Sequence, residues 1–172
     1  WTIDAAAAWS AVIDKVTGRM LLSNGHSGLL EYDGSHIRRM KADFRSDVAL
    51  GEVGQLPDRN PANLESRALA LSLLRQTPPD GRYLTQHHGR IFVAGLASDP
   101  LRIMWSAYGG ANNIWPLLNE GMIRDEEQDP ISGMATLDDR LIVFTPTALH
   151  EAVPIDQAPF FDFTPLSRGI GF

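Results

Sequence analysis

Apolar positions in this chain fall in short runs separated by turn signals, and the runs repeat one pattern. Three segments place a turn and an arginine ahead of an apolar stretch: Gly18-Arg19-Met20-Leu21-Leu22, Gly89-Arg90-Ile91-Phe92-Val93 and Asp139-Arg140-Leu141-Ile142-Val143-Phe144. After a turn, each is followed by a second candidate strand: Leu29-Leu30-Glu31-Tyr32, Leu101-Arg102-Ile103-Met104-Trp105 and Ala148-Leu149-His150-Glu151-Ala152. Short apolar runs bounded by Gly, Asn and Asp read as strands, so the repeating unit is a hairpin. Asn24-Gly25, Asp33-Gly34, Asp80-Gly81, Gly109-Gly110 and Asp138-Asp139 supply further turn chemistry. The chain is therefore expected to be all-β.

The spacing suggests how the hairpins are organised. Arg90 and Arg140 are 50 residues apart, within the roughly 40–50 residues of a four-stranded propeller blade. Arg19 and Arg90 are 71 apart, 21 more, which predicts an insertion between those copies. Residues 60–76 are expected to form it as a helix: Asn60 suits the cap, Pro61 the first helical position, and Leu64, Ala68, Leu71 and Arg75 recur at helical spacing before Thr77-Pro78-Pro79 ends the run. The added Leu69, Leu73 and Leu74 make more than half its circumference apolar, so it should pack against a sheet or a partner. Acidic residues 120–129 have no sustained period and are expected in an exposed connection. Residues 1–172 thus read as one incomplete β-propeller segment of about three blades of antiparallel strands, with a helical insertion at about 60–77 and a C-terminal linker over about 154–172.

Composition narrows the function classes. With 172 residues, 44% hydrophobic and 21% charged, the chain can build a packed core. A formal charge of −6 and the lack of any Lys/Arg-rich run argue against direct nucleic-acid binding. There is no cysteine, which removes disulfides and thiolate zinc sites. No apolar stretch approaches the roughly 20 residues needed to span a bilayer, so no membrane association is expected. The sequence opens at Trp1 instead of Met, and neither end is expected to be a natural boundary.

Adjacent His87 and His88 are potential metal ligands, but neighbours in an extended chain point to opposite faces, and a metal-free loop pair is the expectation. His26, His36 and His150 are isolated and read as turn or strand-surface residues. A glycosidase needs two opposed carboxylates; Asp99, Asp125, Glu126, Glu127 and Asp129 read instead as a turn opener and a solvated acidic loop. No Gly-x-Ser-x-Gly elbow is present, and nothing links Ser106, His150 and Asp162 into a triad. Gly109-Gly110 lacks the helix and Lys-Ser/Thr of a phosphate loop. Trp105 and Trp115, with Tyr108 between them, suit either a sugar-stacking platform or the blade core, and core is favoured. Arg19, Arg90 and Arg140 share one strand position and are expected to make a repeated structural contact to a carboxylate or carbonyl. No catalytic, cofactor or metal site is expected, and the chain reads as a non-enzyme.

The stretch Gly89 to Glu151 resembles a segment of bacteriophage tail and neck virion proteins that carry β-propeller domains. The residues that carry the resemblance are Gly89-Arg90-Ile91-Phe92-Val93-Ala94-Gly95, Asp99 through Ser106, Asn113-Ile114-Trp115-Pro116, Ile131-Ser132-Gly133-Met134 and Asp139 through Phe144. Residues Gly18 to Met40 are similar to the preceding blade, and Leu166 to Gly171 to the lead into the next. The resemblance implies a structural protein of the tail, neck or adsorption apparatus, located in the virion and acting through protein contacts. Its partners would be other virion proteins or further chain that completes the propeller, in a symmetric assembly. A secreted or surface propeller that binds or hydrolyses glycans is the alternative.

Overall fold

A computed structural model describes residues 8–41, 74, 77–109, 113–124, 128–156 and 159–169. Among these residues, twelve strands form three four-stranded antiparallel sheets, each a simple meander in chain order. The first sheet holds β1 (Ser10–Ile13), β2 (Met20–Ser23), β3 (Leu30–Tyr32) and β4 (Ile37–Arg39). The second holds β5 (Gly81–His87), β6 (Arg90–Leu96), β7 (Asp99–Trp105) and β8 (Glu120–Met122). The third holds β9 (Gly133–Leu137), β10 (Arg140–Phe144), β11 (Ala148–Pro154) and β12 (Phe161–Arg168). The turn-arginine segments lead into or open the second strand of each sheet, and the strands that follow them are the third.

Why these runs are strands follows from their burial. In β6 successive apolar side chains alternate between two cores, and both are covered. Ile91 and Val93 pack with Leu21, Leu84, Met104 and Trp115 between the first and second sheets. Phe92 and Ala94 pack with Trp105, Leu141, Val143 and Phe161 between the second and third. A strand covered on both faces reads as a continuous apolar run, which is why Ile91 to Val93 lacks period-two alternation. The sheets are stacked in sequence, and the second buries one face on the first sheet and the other on the third.

The first strands of the three sheets lie side by side. Ser10 Oγ accepts from the Leu84 amide at 2.9 Å, and Gln86 Nε2 donates to Asp14 Oδ1 at 2.9 Å. Thr136 Oγ1 donates to the Gln86 carbonyl at 2.8 Å and lies 3.2 Å from Thr85 Oγ1. β5 is thus clipped to β1 on one side and to β9 on the other. Within the second sheet, Gly81 leaves no room for a side chain, since a Cβ there would lie 2.5 Å from both the Ala94 carbonyl oxygen and Val93 Cγ1 of β6.

With no native cysteine, the pair Thr85→Cys/Thr136→Cys is a direct check of this arrangement. Hydroxyls 3.2 Å apart imply β-carbons close to the roughly 3.5–4.5 Å that a disulfide spans. Oxidation should give an intramolecular link that speeds migration on a non-reducing gel. A pair that stays reduced would place β5 and β9 apart.

Three sequence expectations need correction or fall outside view. Residues 161–168, expected within a linker, form β12 and pair with β11 from Ala148↔Arg168 to Pro154↔Phe161. The cause is Phe161, which is 5% exposed and packs against Phe92 and Trp105 at 5.1 and 5.6 Å between ring centroids. Glu120 to Met122, expected in an exposed connection, pair with Arg102 to Met104 as β8, and Gly121 there admits the Phe163 ring. The helix expected over 60–76 lies outside the described residues except for Leu74, which forms an isolated antiparallel bridge with Pro116.

Candidate functional site

The first hairpin turn of each sheet reaches the same end of the molecule, and the three turns meet around a cavity of about 210 Å³. Lys15 and Val16 come from the β1–β2 turn, His87, His88 and Gly89 from the β5–β6 turn, and Asp138 and Asp139 from the β9–β10 turn. Each turn is built by its own local chemistry. Buried Asp14 accepts from the amides of Val16 and Thr17, both at 3.1 Å, and from the Thr17 hydroxyl, which folds the first turn. His88 and Asp138 sit at φ 44° and 53°, followed by Gly89 at 67° and by Asp139, so the second and third turns are two-residue hairpins with left-handed positions.

Hydrogen bonds join the turns. The Gln86 side chain takes the Lys15 amide at 3.0 Å and gives its own N–H to Asp14. His88 Nε2 lies 3.5 Å from Asp139 Oδ1. His87 is 4% exposed, edge-on to His88 with centroids 4.2 Å apart and near Phe92 and Phe161. Burial, assisted by His88, pushes its pKa down to about 4, so the ring is neutral at physiological pH. Among the described residues no group of three or more His, Asp or Glu is placed to hold a metal. The cluster joins sheets, and the sequence signal for it was thin: a polar Thr85-Gln86-His87-His88 run whose partners lie some 50 to 70 residues away.

The repeated arginines occupy equivalent places. Leu21 pairs with Glu31 and Ile142 with Glu151, two positions beyond Arg19 and Arg140 in each case. Arg19 bonds Glu31, which also takes Arg38 Nε at 2.9 Å, and Arg140 Nε lies 3.2 Å from Glu151. In the second sheet the matching partner of Phe92 is Trp105. With no carboxylate there, Arg90 donates to the Ser106 carbonyl at 3.1 Å and lies over the rings of Phe160 and Tyr108 at 5.0 and 5.8 Å. One repeated position therefore serves two chemistries, set by the residue across the strand.

The remaining candidates are dispersed. Trp105 and Trp115 are 0% and 1% exposed, leaving Tyr108 alone on the surface at 63%, so the three do not form an aromatic platform. Ser106 Oγ accepts from the Ile91 amide and donates to the Ala107 carbonyl. His150 is buried on the side facing the second sheet, not at the surface as its sequence context suggested, while Asp162 is exposed on the opposite face. Asp99 pairs with Arg102 at 2.9 Å and Asp129 accepts from Thr147 at 2.6 Å, so both are engaged structurally. Asp125, Glu126 and Glu127 lie outside the described residues.

A larger open cleft of about 670 Å³ lies between Gly25, Leu74, Asp80, Leu96 and Leu117. Asp80 Oδ2 accepts from the Gly28 amide at 2.8 Å there, bracing the first sheet against the lead into β5. No family model matches the chain, and no curated protein matches it.

Proposed function

We propose that this chain is an incomplete β-propeller that serves as a structural component of a tailed-phage virion, in the tail, neck or adsorption apparatus, through protein–protein contacts. The observation that carries the reading is the stack of three successive four-stranded meanders with their first strands clipped together, which is the internal order of adjacent blades. The virion setting rests on the resemblance of residues 89–151 to propeller segments of tail and neck proteins. Among the described residues, β4, β8 and β12 each pair on one side only, and such strand edges are surfaces that protein contacts can cover. The glycan-binding alternative has less support, because Trp105 and Trp115 are committed to the core.

Sedimentation of lysate containing the native protein, with mass spectrometry across the gradient, tests this. Peptides of this chain should travel with capsid and tail proteins in particles of virion size. A small species absent from every particle fraction would sink the virion assignment.

A further inference from the structure

We propose that His87 is an acid-operated switch: on protonation its ring leaves the seat between Phe92 and Phe161 and turns into the cavity between the three turns, giving up its contact with the third sheet. The geometry sets this up. His87 is 4% exposed, and its ring centroid lies 6.1 Å from that of Phe92 in the second sheet and 6.0 Å from that of Phe161 in the third. Its side chain makes no hydrogen bond to any described residue. A neutral imidazole packs there as a flat, weakly polar ring. An imidazolium brings two N–H donors and a charge into a seat whose walls are phenyl rings. On the other side of the ring is the cavity of about 210 Å³, the share of about seven liquid waters at roughly 30 Å³ each, which is ample for one imidazole.

The charges around the ring draw it outward. Asp138 and Asp139 of the β9–β10 turn line the cavity, as do Lys15 and His88, and Arg90 lies opposite His87 across its hairpin. Arg90 is turned away onto the Ser106 carbonyl and the rings of Phe160 and Tyr108. His88 opposes a charge on His87, and Asp139 favours it. His88 Nε2 lies 3.5 Å from Asp139 Oδ1, and these side chains are 41% and 94% exposed, so the carboxylate is free to meet the incoming ring. On the first sheet the titratable group is Asp14, already bonded to the amides of Val16 and Thr17 and to Gln86.

The two junctions of the second sheet therefore respond differently. Gln86 ties it to the first sheet through a side-chain amide, which takes no proton. Toward the third sheet the Thr136 hydroxyl keeps its bond to the Gln86 carbonyl, so the change is confined to the ring and its aromatic seat. Seated, the ring has a pKa of about 4; turned into the cavity it returns toward the ordinary 6.5. Between about pH 7.5 and 4.5 the ratio of turned to seated ring should thus rise about 70-fold.

Solution NMR of the whole chain tests this. Near neutral pH the His87 ring protons should show cross-relaxation to the rings of Phe92 and Phe161. Toward pH 4.5 those contacts should fade as the ring titrates, and contacts to the β9–β10 turn should replace them. Contacts within the cluster of Leu21, Leu84 and Ile91 should persist throughout. Asp139→Asn, at a 94% exposed site, should leave the neutral spectrum intact and lower the midpoint of the change by about half a pH unit, a threefold weaker pull. Asp162→Asn, exposed on the opposite face, should leave the midpoint in place. A ring that titrates while keeping its Phe161 contacts, contacts that survive to pH 4.5, or loss of every tertiary contact in one step would overturn the proposal. So would an Asp139→Asn midpoint equal to the parent's, or an equal shift from Asp162→Asn.

Discussion

Replacing Trp105 with alanine should cost about 3–5 kcal/mol of folding stability, the range for truncating a large buried aromatic side chain. Trp105 is fully buried at the centre of the core between the second and third sheets, with Phe92, Phe161 and Phe163 at 5.4, 5.6 and 6.1 Å between ring centroids. These rings come from β6, β7 and β12, so the cavity would loosen two sheets at once. Domains of this size are stable by only about 5–15 kcal/mol, and the variant would stand near its unfolding limit. Trp105→Phe keeps most of the volume, and the indole N–H has no hydrogen-bond partner among the described residues, so its loss should be the smaller one. Tyr108→Ala, at a 63% exposed site, should lie within about 1 kcal/mol of the parent. Urea titrations of the three variants measure this. Equal midpoints for Trp105→Ala and Tyr108→Ala would mean that Trp105 faces solvent and that a sugar platform is again open.

The outcome turns on a feature that the sequence showed incompletely. β2, β6 and β10 were legible because an arginine after a turn preceded an apolar run, and β3, β7 and β11 because a second apolar run followed closely. The first and fourth strands of each sheet were harder. β1 reads Ser-Ala-Val-Ile, and β5 mixes Arg, Thr, Gln and His among its apolar residues, because first strands bury polar side chains that bond the neighbouring sheets. β12 carries a proline at Pro165 and reads as a tail, yet it is an outer strand, where proline is tolerated. β8 pairs through only three residues and is anchored by Arg102, whose Nη1 reaches Glu120 at 3.3 Å.

The candidate cluster was less legible than the fold. The arginine repeat was visible, but its carboxylate partners emerge only from the register that sets Glu31 opposite Leu21 and Glu151 opposite Ile142. A reading of residues 87 and 88 as a loop pair captured His88 and missed that His87 is the last residue of β5, with its ring turned inward. Alternation along one strand says which side chains share a face; it does not say which face another sheet will cover. That information lies in the meeting of three turns drawn from residues 14–18, 87–90 and 137–140.

His87 should make the protein's stability fall as pH drops below about 6.5. Its folded pKa is depressed to about 4 from an ordinary 6.5, so between those values the unfolded chain takes up a proton that the folded one refuses. Stability from this group is complete above pH 6.5, declines steadily through the window and is lost by about pH 4. A shift of this size corresponds to up to about 3 kcal/mol. Buried among Phe92, Phe161 and the edge of His88, the ring has little to solvate a charge, and the Asp139 carboxylate offsets only part of that cost. His87→Gln loses packing and starts from a lower plateau, so the comparison lies in the slope. Between pH 6.5 and 4 the variant's unfolding free energy should fall less steeply than the parent's, because only the groups that both proteins share still contribute. Urea midpoints at half-unit pH steps measure both slopes. Parallel curves would mean that His87 protonates freely in the folded state and that the junction of the three turns is open to water.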